Sequence, residues 1–236
     1  MSKRKILILI LVIIAGIGFA IVYKDYKSYK DSDACKFKDE YEDLNGKYTD
    51  SGDTIREVKI AKKNKMIYST AEEIVKKIDN NETFVVYFGF ASCPWCRVMI
   101  ESLVNLSLEH NVNVYYVDIK DIRDTLELVN GEIEKTKEGT KGYNELLDRL
   151  KIVLSDYSLK DENGEEVETN EKRIYAPNVA TIVNGTPIRL VEGVSSKLTD
   201  PYHELTQEMK NESVDQLECI FKCLEENNIC TKKESC

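Results

Sequence analysis

The sequence has only two histidines, one tryptophan and no long basic tract among its 236 residues. His110 and His203 do not lie in a paired ligand spacing, so a histidine-based metal site is disfavoured and no metal is expected. Acidic residues outnumber basic residues by 42 to 33, which gives a net charge of −9. Sequence-independent nucleic-acid binding depends on cationic contacts to phosphates, so this composition argues against a nucleic-acid partner.

The longest apolar run lies close to the N-terminus, at residues 6–23, and follows the cations Lys3, Arg4 and Lys5. As a helix its 18 residues span about 27 Å, close to the hydrocarbon thickness of a bilayer. We therefore expect a signal anchor at 1–23, a single-pass transmembrane helix in the cell membrane. The cations favour a cytoplasmic N-terminus and an extracytoplasmic C-terminal domain. A signal peptide cleaved after Ala20 remains the alternative.

The rest of the chain reads as one α/β domain with additions. Residues 83–90 form a continuous apolar run, which is typical of a central strand covered on both faces. A helix to about His110 and a strand at 113–118 follow, and this βαβ order predicts parallel pairing. The predicted divisions are a polar spacer at 24–65, the domain at 66–225 with an insert at 120–173, and a cysteine-rich tail at 226–236.

Within the insert, leucine and valine residues at helical spacing predict a helix over 143–157. Asn184-Gly185 predicts a two-residue hairpin turn after a strand at 179–183. No internal repeat interrupts this organisation.

The motif with the clearest chemistry is Cys93-Pro94-Trp95-Cys96. The preceding strand and following helix place Cys93 at a helix N-terminus, where unpaired amide N–H groups and the positive dipole end stabilise a thiolate. Pro94 suits the first helical turn because its missing N–H costs nothing there. This context predicts a redox pair, with Cys93 as the nucleophile and Cys96 as the resolving thiol. The two electrons that such a pair exchanges are carried by the cysteine sulfurs, so no cofactor is expected.

Two separated features resemble the thioredoxin-like oxidoreductase superfamily. One is the strand and dithiol helix at 84–96, and the other is Ala176-Pro177 leading into the strand at 179–183. The resemblance implies a thioredoxin-like fold in which a cis-proline, here Pro177, faces the dithiol. It also implies that the Ala176 backbone pairs with a substrate peptide. More loosely, the chain is similar to membrane-anchored extracytoplasmic members, including the bacteriocin transport accessory proteins.

The chain departs from the superfamily pattern at two places. Thioredoxins carry a buried carboxylate six positions before the first cysteine, and this chain has Tyr87 there. The stretch between Asp118 and Pro177 is also much longer than in thioredoxin. Oxidases of the superfamily carry a helical insert near that point, so the resemblance implies a helical insert before the cis-proline strand. Trp95 is either packed on neighbouring loops or an exposed contact for substrate beside the reactive sulfur, and we favour the second.

Five cysteines lie outside the dithiol motif. Structural disulfides are favoured for the four in the last 18 residues. One alternative is a second redox relay to the dithiol, and another is a zinc site in which Cys219 and Cys223 supply a second pair of ligands beside Cys93 and Cys96. Cys35 is then unassigned, because the total of seven is odd. The four candidates for structural disulfides are Cys219, Cys223, Cys230 and Cys236.

The sequence thus predicts a protein thiol–disulfide oxidoreductase, an enzyme that exchanges disulfides with cysteine-containing proteins or peptides and is recharged by an unidentified redox partner. The direction, whether reduction, oxidation or isomerisation, is left open. The alternative is a non-catalytic accessory module that binds a secreted peptide or a transporter.

Overall fold

A five-stranded mixed sheet forms the centre of the molecule, and its strands lie side by side in the order Met66–Tyr68, Val114–Asp118, Phe84–Gly89, Asn178–Val183 and Thr186–Val191. The structure is a computed structural model and describes residues 17–18 and 22–225. Within this part of the chain the elements are, in order, α1 (Asp33–Glu42), β1 (Met66–Tyr68), α2 (Ala71–Asp79), β2 (Phe84–Gly89), α3 (Pro94–Glu109), β3 (Val114–Asp118), β4 (Thr125–Val129), β5 (Glu132–Lys137), α4 (Lys141–Leu150), β6 (Asp156–Lys160), β7 (Glu166–Lys172), β8 (Asn178–Val183), β9 (Thr186–Val191) and α5 (Gln207–Glu225).

Strand β2 lies in the middle of the sheet, and all six of its residues are buried. It pairs in parallel with β3 and antiparallel with β8. The predicted βαβ unit and its parallel pairing are therefore confirmed. The predicted hairpin turn is also confirmed, since Asn184 and Gly185 both have positive φ angles, of 46° and 72°, and join β8 to β9.

Successive side chains of β2 point to opposite faces of the sheet and enter two separate cores. Val85 and Tyr87 point to the face covered by α1, α3 and α5, which also carries Cys93 and Cys96. We call this side the dithiol face. Val86 and Phe88 point to the face covered by α2 and α4, which we call the opposite face.

The insert at 120–173 is not the helical insert that we expected. It contains the hairpin β4-β5, the helix α4 and the hairpin β6-β7. The helix ends at Leu150 instead of at 157, and Tyr157 lies in β6. Leu146 and Leu150 are buried against the opposite face, whereas Ile152 is exposed, so the apolar spacing overstated the length of the helix.

Much of the segment expected to be a polar spacer packs as part of the domain. Ser32 caps α1 by accepting a hydrogen bond from the backbone N–H of Cys35. Phe37 and Tyr41 are fully buried on the dithiol face, and the Phe37 ring packs edge-on to Tyr116, with 5.0 Å between centroids. Most residues of this helix are charged, so its sequence did not indicate that two of its aromatic side chains pack against the sheet.

The transmembrane helix expected at 1–23 requires correction. Among the described residues, no helix is both long and apolar enough to cross a bilayer. The single-pass anchor, and the location in the cell membrane that depended on it, are therefore not supported. Most of the predicted apolar run lies outside the described residues.

Candidate functional site

The dithiol lies where β2 passes into α3. Cys93 is the N-cap residue of this helix, with extended backbone angles, and Pro94 is its first residue. The sulfur of Cys93 accepts a hydrogen bond from the backbone N–H of Cys96, with 3.4 Å between N and Sγ. The cysteine thus caps the helix as a serine or aspartate would, and its sulfur faces the unpaired amides of the first turn.

The surroundings of Cys93 favour its thiolate form. The Cys96 thiol donates a hydrogen bond to it, and together with the backbone N–H groups of Cys96 and Trp95 this contact lowers the pKa of Cys93. The positive charge of Arg123 acts in the same direction, and burial of the sulfur opposes them. A thiolate is the nucleophilic form of cysteine, so Cys93 is the more reactive sulfur of the pair.

Cys96 has the contrasting environment. Its side chain is fully buried, and this burial, followed by the contact with Cys93, raises its pKa well above the ordinary value for a thiol. Contacts with Tyr87 and with the backbone of Phe90 act in the other direction and lower the pKa of Cys96. Cys96 is therefore a protonated thiol placed behind the reactive sulfur, close enough to form a disulfide with it.

The second half of the site comes from residues more than 80 positions later in the chain. The Cys93 thiol donates to the carbonyl oxygen of Ala176, at 3.2 Å, and the Ala176–Pro177 peptide bond is cis. Pro177 therefore has the conformation and the position that the sequence resemblance implied. Within the described residues, the Ala176 amide N–H has no hydrogen-bond partner. This backbone group is available to pair with an added strand.

A cavity of about 690 Å³ is lined by Trp95 of the dithiol motif and by the segment around Ala176 and Pro177, although Cys93 does not itself line it. Trp95 forms one wall and is half-buried, while Ala176, Pro177 and Tyr175 form another. Leu190 and Val194 extend its apolar lining along β9 and the loop that follows. Trp95, Ala176 and Pro177 thus line one cavity, and the buried sulfur of Cys93 reaches this group through its contact with Ala176.

No family model matches the sequence, and no curated protein is significantly similar to it. The function of the chain is therefore inferred from the geometry and the chemistry of this site.

The remaining cysteines are separate from the dithiol. Cys219 and Cys223, on α5, are both disulfide-bonded. Their expected partners, Cys230 and Cys236, lie outside the described residues, so the pairing stays a prediction. Cys35 is a buried free thiol on α1 and donates to the Asp39 carboxylate at 3.4 Å.

Metal binding has no candidate cluster in the described part of the chain, where no three His, Cys, Asp or Glu side chains converge suitably. His110, at the end of α3, instead contacts Glu218, with 3.0 Å between Nε2 and Oε2, and stacks on Phe221. His203 lies in a loop, next to Asp200.

Three residues near the dithiol were not identified from the sequence. Tyr41 lies in the segment predicted to be a polar spacer, and the sequence pattern assigns no role to Arg97. Arg97 is buried, and its guanidinium donates to the carbonyl oxygens of Tyr41 and Ala91, both at 3.0 Å. Arg123 belongs to the insert and has no recognisable motif. For Arg97, the one indication in the sequence was the position of a charged residue directly after the second cysteine.

Proposed function

We propose that this protein is a thiol–disulfide oxidoreductase that acts on cysteine-containing proteins or peptides. The observation that carries the proposal is the asymmetry of the two sulfurs. Cys93 caps a helix, has a lowered pKa and contacts the Ala176 backbone, whereas Cys96 is fully buried and has a raised pKa. This division of properties suits a nucleophile and a resolving thiol.

Written in the reducing direction, the reaction has two steps. The Cys93 thiolate attacks one sulfur of a substrate disulfide, and the other substrate sulfur leaves as a thiolate. Cys96 then attacks Cys93 Sγ, which breaks the mixed disulfide, releases the second substrate sulfur and leaves a Cys93–Cys96 disulfide. The reverse sequence oxidises a substrate dithiol. A redox partner must restore the starting state of the pair in either direction.

The edge at Ala176 and Pro177 is the proposed docking site for the substrate backbone. An extended peptide that pairs with the free Ala176 amide would bring its own cysteine next to Cys93, since the Ala176 carbonyl already lies 3.2 Å from that sulfur. Trp95 and the neighbouring cavity would receive apolar side chains that flank the substrate cysteine.

The proposal is tested by trapping the intermediate. In Cys96→Ser the resolving step is blocked, so this protein should accumulate mixed disulfides with client proteins, visible on non-reducing gels and reversed by dithiothreitol. The matched control is the double variant Cys93→Ser/Cys96→Ser, which should trap nothing. If Cys96→Ser traps no protein and the wild type neither reduces insulin nor oxidises a reduced test protein, the chain is a non-catalytic binding module instead.

The direction of exchange follows from one further measurement. Equilibration of the wild-type pair with a glutathione or dithiothreitol buffer gives its reduction potential. A value near about −270 mV would favour a reductase, and a value near about −120 mV would favour an oxidase.

A further inference from the structure

A tyrosine hydroxyl lies beside the resolving thiol in the core. Tyr87, on β2, is fully buried, and its hydroxyl interacts with the Cys96 thiol. The Tyr87 hydroxyl occupies the space that a side chain at Gly89 would fill. A Cβ at Gly89, two residues along the same face of the strand, would lie 2.2 Å from the Tyr87 hydroxyl oxygen. The absence of a side chain at Gly89 thus lets this hydroxyl reach the region of the dithiol.

A second tyrosine hydroxyl is hydrogen-bonded to the first. The hydroxyl oxygen of Tyr41, on α1, lies 2.8 Å from that of Tyr87, and Tyr41 is also fully buried. When Tyr41 donates to Tyr87, the single proton of the Tyr87 hydroxyl is free to point at Cys96. The Tyr87 ring is held in place by stacking on Tyr116, with 5.4 Å between centroids and 18° between planes.

We propose that Tyr87 is a catalytic residue of this exchange reaction, donating its hydroxyl proton in a hydrogen bond to Cys96 Sγ as that sulfur becomes a thiolate. Tyr41 is the corresponding positioning residue. This inference rests on the proposed function. It gives a role to Tyr87, which stands six positions before Cys93, where thioredoxins carry a buried carboxylate.

The physical need arises from the burial of Cys96. Removing water from a thiolate disfavours it, which is why burial raises the pKa of Cys96, and yet Cys96 must attack as a thiolate to resolve the mixed disulfide. A hydrogen bond from a neutral donor stabilises that anion without placing a second charge in the core. Tyr87 itself stays protonated, because burial and the neighbouring Cys96 raise its pKa well above the usual value.

The proton balance of the step is closed. Cys96 loses its thiol proton, its sulfur forms a bond to Cys93 Sγ, and the bond between Cys93 and the substrate sulfur breaks. The departing substrate thiolate takes up one proton, so none is gained or lost overall. The Tyr87 hydroxyl keeps its own proton throughout. The oxidant is the substrate disulfide.

The other charged and titratable groups around the two tyrosines do not offer a competing base. The hydroxyl of Tyr116 is turned away from the thiols and donates to the Glu40 carboxylate at 3.0 Å. The guanidinium of Arg97 is occupied by backbone carbonyls and by Asn45. The groups that face this cluster are Tyr41 and Glu40 from α1, Tyr116 from β3, and Cys93 and Arg97 from α3.

The experiment separates the two steps with one reagent. Reduced protein is mixed with the aromatic disulfide dithiobis-nitrobenzoate. Attack by Cys93 releases one coloured thiolate, and attack by Cys96 on the resulting mixed disulfide releases a second. Tyr87→Phe should leave the first phase unchanged. Its second phase should shift to higher pH by about one unit, which makes it about tenfold slower below the midpoint.

Three further proteins act as controls. Tyr41→Phe should shift the second phase in the same direction but less, and it decides the question if Tyr87→Phe does not fold. Tyr116→Phe removes a buried hydroxyl from the same ring cluster and should leave the pH profile of the second phase unchanged. The double variant Cys93→Ser/Cys96→Ser reports any colour released by Cys35.

The outcomes distinguish failure of this inference from failure of the proposed function. If the wild type releases no second thiolate, Cys93 and Cys96 do not act as a redox pair and both proposals fail. If the wild type releases two and the folded Tyr87→Phe or Tyr41→Phe protein gives the same second-phase pH profile, only the role of Tyr87 is overturned. An equal shift in Tyr116→Phe would also overturn it, since the cause would then be general packing.

Discussion

The two faces of the central sheet are built from different chemistry. On the opposite face, the core is mainly aliphatic and phenylalanine, with Ile74 from α2, Phe88 from β2 and Leu146 from α4, and it includes the buried Tyr143. On the dithiol face, the same strand contributes Tyr87, and the helices add Tyr41 and Arg97 beside the two thiols. Alternate residues of β2 therefore enter an apolar core and a polar core.

This difference separates stability from chemistry. A buried hydroxyl or guanidinium costs free energy unless it is hydrogen-bonded, and the dithiol face meets that requirement with specific partners. The opposite face obtains its stability from apolar area, which requires no particular partner. Changes on the opposite face should therefore alter stability alone, whereas changes on the dithiol face should alter stability, reactivity or the response to pH.

The largest change in stability is expected at Arg97. Its guanidinium joins α3 to the end of α1 and to two loops, through the carbonyl oxygens of Arg56 at 2.6 Å and of Tyr41 and Ala91 at 3.0 Å. Arg97→Met keeps an unbranched apolar chain but removes the guanidinium donor from these carbonyls. We expect a loss of about 3–5 kcal/mol in the free energy of unfolding, measured by urea denaturation.

Arg97→Lys is the matched control. Lysine keeps the charge, but its single ammonium group does not reproduce the spread of donors on a planar guanidinium. It should therefore recover only a minor part of the loss. A cost below about 1 kcal/mol for Arg97→Met would mean that the polar contacts of the dithiol face contribute little.

A smaller loss is expected on the opposite face, at Leu146. This side chain on α4 is fully buried, and Leu146→Ala should lower the free energy of unfolding by about 2–5 kcal/mol through lost contacts and a cavity. Leu147→Ala, at the half-buried neighbour on the same helix, should cost less. The reduction potential of the dithiol should not change in either variant. A shifted potential in folded Leu146→Ala would show that the two faces are coupled.

Sequence patterns and structure agree best where the conformation of a segment depends on its own neighbouring residues. Residues 83–90 lacked polar interruptions, and Phe84–Gly89 is the fully buried central strand. The Cys93–Cys96 motif followed that strand directly, so the N-cap position of Cys93 could be predicted from the order of elements. The hairpin at Asn184-Gly185 requires positive φ angles that these residues adopt readily.

The features that could not be predicted depend on distant contacts. Helix α1 has a mostly charged sequence, and the role of Phe37 and Tyr41 becomes visible only when they meet Tyr116 and Tyr87 across the core. The two hairpins of the insert are strongly charged, with Glu132–Lys137 exposed throughout, so hydrophobic periodicity had no signal there. The charge of Arg123 beside Cys93 arises from the path of the insert.

The smallest expected effect concerns pH and again sets the two sulfurs apart. In the reduced protein the pKa of Cys93 is lowered by the Cys96 thiol and the helix amides, so unfolding takes up a proton between that pKa and the unfolded value of about 8.5. The free energy of unfolding therefore rises with pH across this window. Burial raises the pKa of Cys96, so above about pH 8.5 unfolding releases a proton and the free energy of unfolding falls.

The reduced protein should thus be most stable, relative to the oxidised protein, near pH 8.5, and each limb should slope by at most about 1.4 kcal/mol per pH unit. The oxidised protein is the matched control, because its Cys93–Cys96 disulfide does not titrate while every other group is retained. Urea unfolding of both forms between about pH 6 and 9.5 gives the difference, below the range in which unfolded tyrosines ionise. A difference that is flat with pH would mean that the two sulfurs share one environment, and the asymmetry that makes Cys93 the nucleophile would be lost.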